Sequence, residues 1–231
     1  MTEYKTIVCL ANSIKHGGRC VAGIEVSGDR SAGWVRPVSA RDGHAVSLSE
    51  MRLQDGVVPA ALDVIRLAVV GPSPTDLQPE NWLLDNAHAW EKVDEWPWDA
   101  LADLVTELPS LWGTGNSSGK GENDRVLEES ADFLGQSIAL VWVDQLTLRV
   151  LDGGFHEVKR EVRARFQFAG QNYDLKVSDP TYKSAYLQEA DGTYVVEGCY
   201  LTVSLAEPFS DGHCYKVVAA IIESTRTVGE G

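Results

Sequence analysis

The sequence predicts a mainly β protein with a few short helices, built as two compact β-barrels joined by a Trp-rich helical segment. Three observations carry this. Short runs rich in Val and Ile, punctuated by Gly, Asp and Ser, fill both ends of the chain. The stretch between them changes character, with Trp82, Trp90, Trp96, Trp98 and Trp112 crowded into it. The 231 residues are 44% hydrophobic and 23% charged, enough apolar material for one large domain or two small ones, which excludes a disordered tail. The expected division is residues 1–81 for the first barrel, 82–136 for the connecting segment and 137–231 for the second barrel.

The elements follow in order. TIVCLANS, CVAGIEVS, GWVRPVS and LDVIRLAVV read as strands of the first barrel, with turn signals at His16-Gly17-Gly18 and Asp55-Gly56-Val57. VSLSEMRLQDG reads as a short helix, Ser47 capping it with Glu50 three residues on. Pro72, Pro74 and Pro79 mark an irregular crossing that ends the first sheet. Pro97 can open a helix through WDALADLVTEL, whose Leu101, Leu104, Val105 and Leu108 share a face, and Asp124 to Leu134 can form another. SIALVWVD, QLTLRVLD, REVRARFQFAG, QNYDLKVSD, YVVEGCYLTVSLAEPF and HCYKVVAAIIE return to strands. In VRARFQF, Val162, Ala164, Phe166 and Phe168 take one face while Arg163, Arg165 and Gln167 take the other, the alternation of a half-buried strand. No internal repeat is visible.

Net charge is −14, but unevenly spread. Residues 1–41 carry six basic against three acidic side chains, and residues 156–186 six against four. The remainder therefore holds −19. An acidic body disfavours indiscriminate duplex binding, and two basic islands within it suit a confined anionic ligand. Solvated strand faces explain each island equally well. No apolar run approaches the roughly 20 residues of a membrane span, and the start reads as a first strand rather than a signal sequence. Cys9, Cys20, Cys199 and Cys214 have no CxxC spacing, so the expectation is a cytoplasmic protein.

Four segments could carry chemistry. Asn12, Ser13, Lys15 and Arg19 surround a glycine pair that lets backbone approach a ligand; a polar hairpin loop has the same composition. In Gly33–Ser39, Trp34 and Arg36 on alternate positions suit a base and a phosphate, or a core ring and an ion pair. The loop from Gly113 to Arg125 lacks P-loop spacing, since three residues separate Gly115 from Gly119 and Gly121 follows Lys120; Asn123, Asp124 and Arg125 read as a cap for the next helix. Arg163 and Arg165, with Lys176 and Tyr173 on the partner strand, could form a backbone-tracking groove or salt bridges to Glu161 and Asp174. No catalytic constellation or metal-ligand spacing stands out, and no cofactor is expected.

IVCLANSIKHGGRCVAG, GWVRPVS, LQDGVVPAALDVI, QPENWLL, LWGTGNSSGKGENDRV, RARFQFAGQNYDLKVSDP and YLTVSLAEPF with CYKVVAAII, in this order, resemble the dual OB-domain family of bacterial proteins. The resemblance implies two OB-type barrels and membership of prokaryotic conflict or mobile-element gene neighbourhoods; it carries over no catalytic residue. OB barrels bind single strands across one sheet face. The leading expectation is therefore a non-catalytic nucleic-acid or nucleotide recognition module. Its partner would be a short single-stranded nucleic acid or nucleotide, with a protein encoded nearby as a second candidate. Lys15, Arg19, Arg36, Arg163, Arg165 and Lys176 would meet phosphates, and Trp34 or Tyr173 a base. The alternatives are a protein-interaction adaptor using exposed tryptophans, and an enzyme acting on nucleotides or nucleic-acid ends with His16, Asp124 and Arg125 gathered in a cleft.

Overall fold

The computed structural model describes residues 2–27, 30–131, 134–151 and 160–224. Among these, β1 (Glu3–Lys15), β2 (Gly18–Ser27), β3 (Arg30–Val38), β4 (Asp63–Pro72), β5 (Asn81–Leu84) and β6 (Glu91–Glu95) form one sheet. Its order is β1-β2-β3-β5-β4-β6, and β4 returns to pair with β1, closing a five-stranded barrel. The second sheet comprises β7 (Arg125–Leu127), β8 (Ile138–Leu151), β9 (Glu161–Phe168), β10 (Gln171–Val177), β11 (Gly192–Leu205) and β12 (His213–Glu223). It runs β10-β9-β8-β11-β12-β7 and closes through β10 and β12. Both barrels share one topology. The first strand pairs with the second and fourth, and the third lies parallel to the fifth (β3 with β5, β10 with β12). That is the OB arrangement, so the expected mainly β, two-barrel class holds. The repeat invisible in the residues is plain in the strand order.

Hydrophobic patterning explains the packing. The unbroken apolar run of β1 is buried on both sides, as such runs require. Ile7 and Cys9 point into the first barrel with Val21, Val35, Ile65 and Leu67, while Val8 and Leu10 point outward. The outward side meets Ile138, Leu140, Tyr200, Ala220 and Ile222 of the second barrel, with Leu101 and Leu104 beside it. A continuous core therefore runs along the seam between the barrels. Thr202 Oγ1 donates to the Leu10 carbonyl across it at 2.6 Å, and the Ile14 N–H donates to the Ser178 carbonyl at 2.9 Å. Gly23 makes the first barrel's closeness possible. A Cβ there would lie 2.1 Å from the Val8 carbonyl oxygen, so any side chain would prise β2 from β1.

Several local expectations are corrected. The first barrel continues past residue 81: β5 closes it and β6 extends its sheet, so the proline-rich crossing does not end it. Residues 82–136 are accordingly not a purely helical connector. Trp98–Leu104 is a 3₁₀ helix of seven residues, ending before Val105 and Leu108. Where a helix was expected from Asp124, β7 pairs with β12 and is followed only by α1 (Glu128–Ala131). Ser47 and Glu50 do form the reciprocal capping bonds, Ser47 N–H to Glu50 and Glu50 N–H to Ser47 Oγ, but around a single turn. SIALVWVD and QLTLRVLD merge into one 14-residue strand, β8. A full side-chain cap opens α2 (Pro180–Tyr186), where Asp179 accepts from the Thr181 and Tyr182 N–H groups. No helix among the described residues is long and apolar enough to cross a membrane.

Candidate nucleic-acid interface

OB barrels take ligands on the outer face of their second and third strands, flanked by the loops after strands one and four. The two barrels here treat that face in opposite ways. In the first it is apolar and covered: Val8, Ala22 and Ile24 are buried in the seam, and Trp34 packs against them. In the second it is polar and faces solvent. Leu146, Leu148 and Val150 of β8, Val162, Ala164 and Phe166 of β9, and Tyr173, Leu175 and Val177 of β10 all point inward. The intervening residues therefore point out.

Strand register sets those outward residues in rows. Arg149, Arg163 and Lys176 lie side by side on β8, β9 and β10, and the next row is Thr147, Arg165 and Asp174. Gln167 and Asn172 form the last, with Gln167 Nε2 donating to Asn172 Oδ1 at 3.0 Å. Asp174 anchors the cluster. Its carboxylate, 2% exposed, lies 2.5 Å from Arg149 Nη1, 2.7 Å from Arg163 Nε and 3.6 Å from Arg165 Nη2. Arg163 is 5% exposed and also reaches Asp124 at 3.5 Å, whereas Arg165 is 54% exposed. Lys176 is exposed and has no ion-pair partner among the described residues. With Lys120, the region holds five cations and four carboxylates, Asp124, Glu122, Glu161 and Asp174, so it is close to neutral on a chain of net charge −14.

The sequence-derived candidates thus divide. Arg165 and Lys176 stand on the open face. Arg163 is on it but sealed by two carboxylates, so no ligand phosphate reaches it. Arg36 is removed altogether. It is 3% exposed in the seam, its Nη2 2.9 Å from Glu80 Oε1 and 2.9 Å from Ser137 Oγ, with Ser204 Oγ at 3.3 Å. A single groove shared by Arg36 and Arg165 does not exist. Lys15 pairs with Glu207 of the second barrel at 2.8 Å, and the Arg19 charge acts on buried Asp179, so this loop docks barrel on barrel. Asn12 donates to the Pro59 carbonyl and Ser13 to that of Cys20. Tyr173 is fully buried, stacked on Phe166 with ring centroids 5.5 Å apart and its hydroxyl accepting from Leu111 N–H, so it offers no face to a base. Trp34 is half-buried and packs against the seam core.

Asn123 and Asp124 do not cap a helix. They fold their own loop, Asn123 accepting from Gly115 N–H and Asp124 from both Ser118 N–H and Ser118 Oγ. Arg125 holds Asn116 and Asp211. His16 is exposed in the β1–β2 turn, and among the described residues no hydrogen bond or ion pair joins it to Asp124 or Arg125. Lys159, in the second basic island, lies outside the described residues. Cys9, Cys199 and Cys214 are buried thiols outside any disulfide, and burial pushes the Cys9 thiol up to about 12. Arg149 and the buried Lys216 were not singled out from the sequence. Arg149 was visible in principle, because QLTLRVL alternates as VRARFQF does.

Lys216, 1% exposed, donates to the Gly113 carbonyl at 2.8 Å. Burial pulls its pKa down to about 8, partly opposed by the Asp124 charge. Between pH 8 and the unfolded value near 10.5, the unfolded chain binds the extra proton, so stability rises with pH through this window. The buried Cys9 and Cys199 thiols, both pushed to about 12, act the other way above pH 9, where only the unfolded chain has ionised. Urea denaturation should therefore show stability rising from pH 7 to a maximum near 9. In Lys216→Met the rise should vanish, the difference between the two proteins changing by on the order of 1 kcal/mol across that interval. A parallel pair of pH profiles would refute the assignment.

No curated protein matches the chain. The family model described as Dual OB-containing domain matches residues 5–221, a span that takes in both barrels, and the protein belongs to that family.

Proposed function

We propose that the protein is a non-catalytic nucleic-acid or nucleotide recognition module whose ligand lies on the outer face of β8, β9 and β10. One observation carries this reading: the same OB face is apolar and covered in the first barrel but polar and solvent-facing in the second. Arg165 and Lys176 supply positive charge there, and Gln167 and Asn172 supply amide donors and acceptors for a base edge or sugar. The first barrel serves as a support. The ligand is a short single-stranded nucleic acid or a nucleotide, and the prokaryotic conflict or mobile-element setting implied by the family resemblance belongs to the same proposal.

The adaptor reading gains little support. Trp90 and Trp112 are buried, Trp34, Trp82, Trp96 and Trp98 pack against cores, and Trp142 is 38% exposed. An anisotropy titration of short RNA, short DNA and free nucleotides between 50 and 200 mM salt tests the leading one. Arg165→Ala and Lys176→Ala should each weaken binding roughly tenfold and flatten the log–log salt slope by about 0.7. Binding indifferent to salt or to Arg165→Ala would remove the proposal.

A further inference from the structure

Along β9 the open face stops at Arg163, where the loop from Gly113 to Asp124 covers it, while Lys176 in the same row on β10 stays exposed. Glu122 and Asp174 exchange both backbone hydrogen bonds, so the loop meets β10 on the edge that pairs with β12 two residues further on. It then turns over Arg163. A Cβ placed on Gly121 would lie 2.0 Å from Asp124 Oδ2 and 2.4 Å from Arg163 Nη2, which means the backbone itself rests on that ion pair. Asp124 presents to Arg163 what a ligand phosphate would present, an anionic oxygen, at 3.5 Å.

The loop is fixed. Gly113 O is held by Lys216, Gly115 N–H by Asn123, Asn123 N–H by Ser117, Gly121 N–H by Ser118, and Asp124 by Ser118 twice, with Arg125 on Asn116. These bonds outnumber those that one phosphate on Arg163 can return, so a ligand meets a wall rather than a displaceable lid. What stays open along β9 runs from Arg165 to Gln167, about 7 Å at strand rise. A strand crossing the sheet toward β10 meets the same loop at its edge.

Resting on the binding reading above, we infer that the loop from Gly113 to Asp124, through Asp124 on Arg163, is the specificity-determining element that limits the ligand to a mononucleotide or a strand of a few nucleotides. OB folds that track single strands cover roughly 4–16 nucleotides, and the space left here is shorter. The near-neutral charge of the face agrees, since tracking a longer backbone needs several unpaired cations.

Oligothymidylates from one to about 15 nucleotides, titrated into the intact protein, test this. Affinity should level off by about three nucleotides. Asp124→Asn, which keeps the side chain's shape but removes the negative charge facing Arg163 Nη2 while Asp174 still holds Nε, should bind the longest probe at least fivefold more tightly than wild type while leaving the mononucleotide within twofold. Ser118→Ala, which loosens the loop without touching Arg163, should shift the length profile the same way, covering the case in which Asp124→Asn fails to fold. Affinity climbing steadily to 15 nucleotides in wild type, or a length profile unchanged in both variants, overturns the inference and leaves the binding face standing. Absence of binding at every length overturns both.

Discussion

Glu80→Ala should cost about 3–5 kcal/mol of stability, the usual penalty for removing one partner of a buried ion pair. Its carboxylate and the Arg36 guanidinium are 5% and 3% exposed, and they sit where the two barrels meet. Without Glu80, Arg36 keeps, among the described residues, only the hydroxyls of Ser137 and Ser204. These satisfy hydrogen bonds but not charge. A domain is stable by about 5–15 kcal/mol, so the loss takes a large share. Arg36 belongs to the first barrel and both serines to the second, so the damage should register in both. Urea denaturation followed by tryptophan fluorescence and by far-UV circular dichroism should shift together. Exchanging both partners at once, Arg36→Met with Glu80→Leu, should recover most of the loss, because the desolvation cost of both charges disappears. A loss under 1 kcal/mol for Glu80→Ala would mean that the seam admits water. The result also governs how Arg36 variants are interpreted: weakened ligand binding in Arg36→Ala would report a loosened seam, not a lost phosphate contact.

The strands were legible in the residues because apolar periodicity reports burial directly. The same signal distinguished the two faces, had it been pressed further. TIVCL is apolar without interruption, as befits a strand covered on both sides by the barrel interior and the seam. VRARFQF alternates, as befits a strand with one open face. Charge was less legible. A run of basic residues shows that cations are near one another along the chain, but not that Asp174 stands across from Arg165 or that Glu80 approaches Arg36. Those pairings arise from strand register and from a crossing of more than forty residues, neither written in local spacing. Tyr173 misled for a related reason: it follows the inward positions of β10, and its partner Phe166 was already assigned to the inner face. The loop after Gly113 resisted reading because its glycines and serines fit many shapes until Asn123 and Asp124 fold back on it.

Asp174→Ala should be as damaging as Glu80→Ala, about 3–5 kcal/mol, although it lies on the face assigned to ligand. One carboxylate there holds three guanidiniums, and Arg163 beneath the loop cannot turn to water when it goes. Arg149, Arg163 and Arg165 would then repel one another at close range. Arg165→Ala removes the exposed member of the same cluster, so its stability cost should stay below about 1 kcal/mol, the range of surface pairs. The contrast separates folding from recognition within one patch of sheet. Arg165→Ala should keep the urea midpoint and lose ligand, and Asp174→Ala should lose the midpoint. Pairing Asp174→Ala with Arg163→Met should restore much of it, since the buried unpaired charge is the principal cost. If Asp174→Ala proves as mild as Arg165→Ala, the carboxylate is not the anchor of the cluster. The face would then be held by the β8–β9–β10 ladder alone, and the immobility claimed for Arg163 would fail with it.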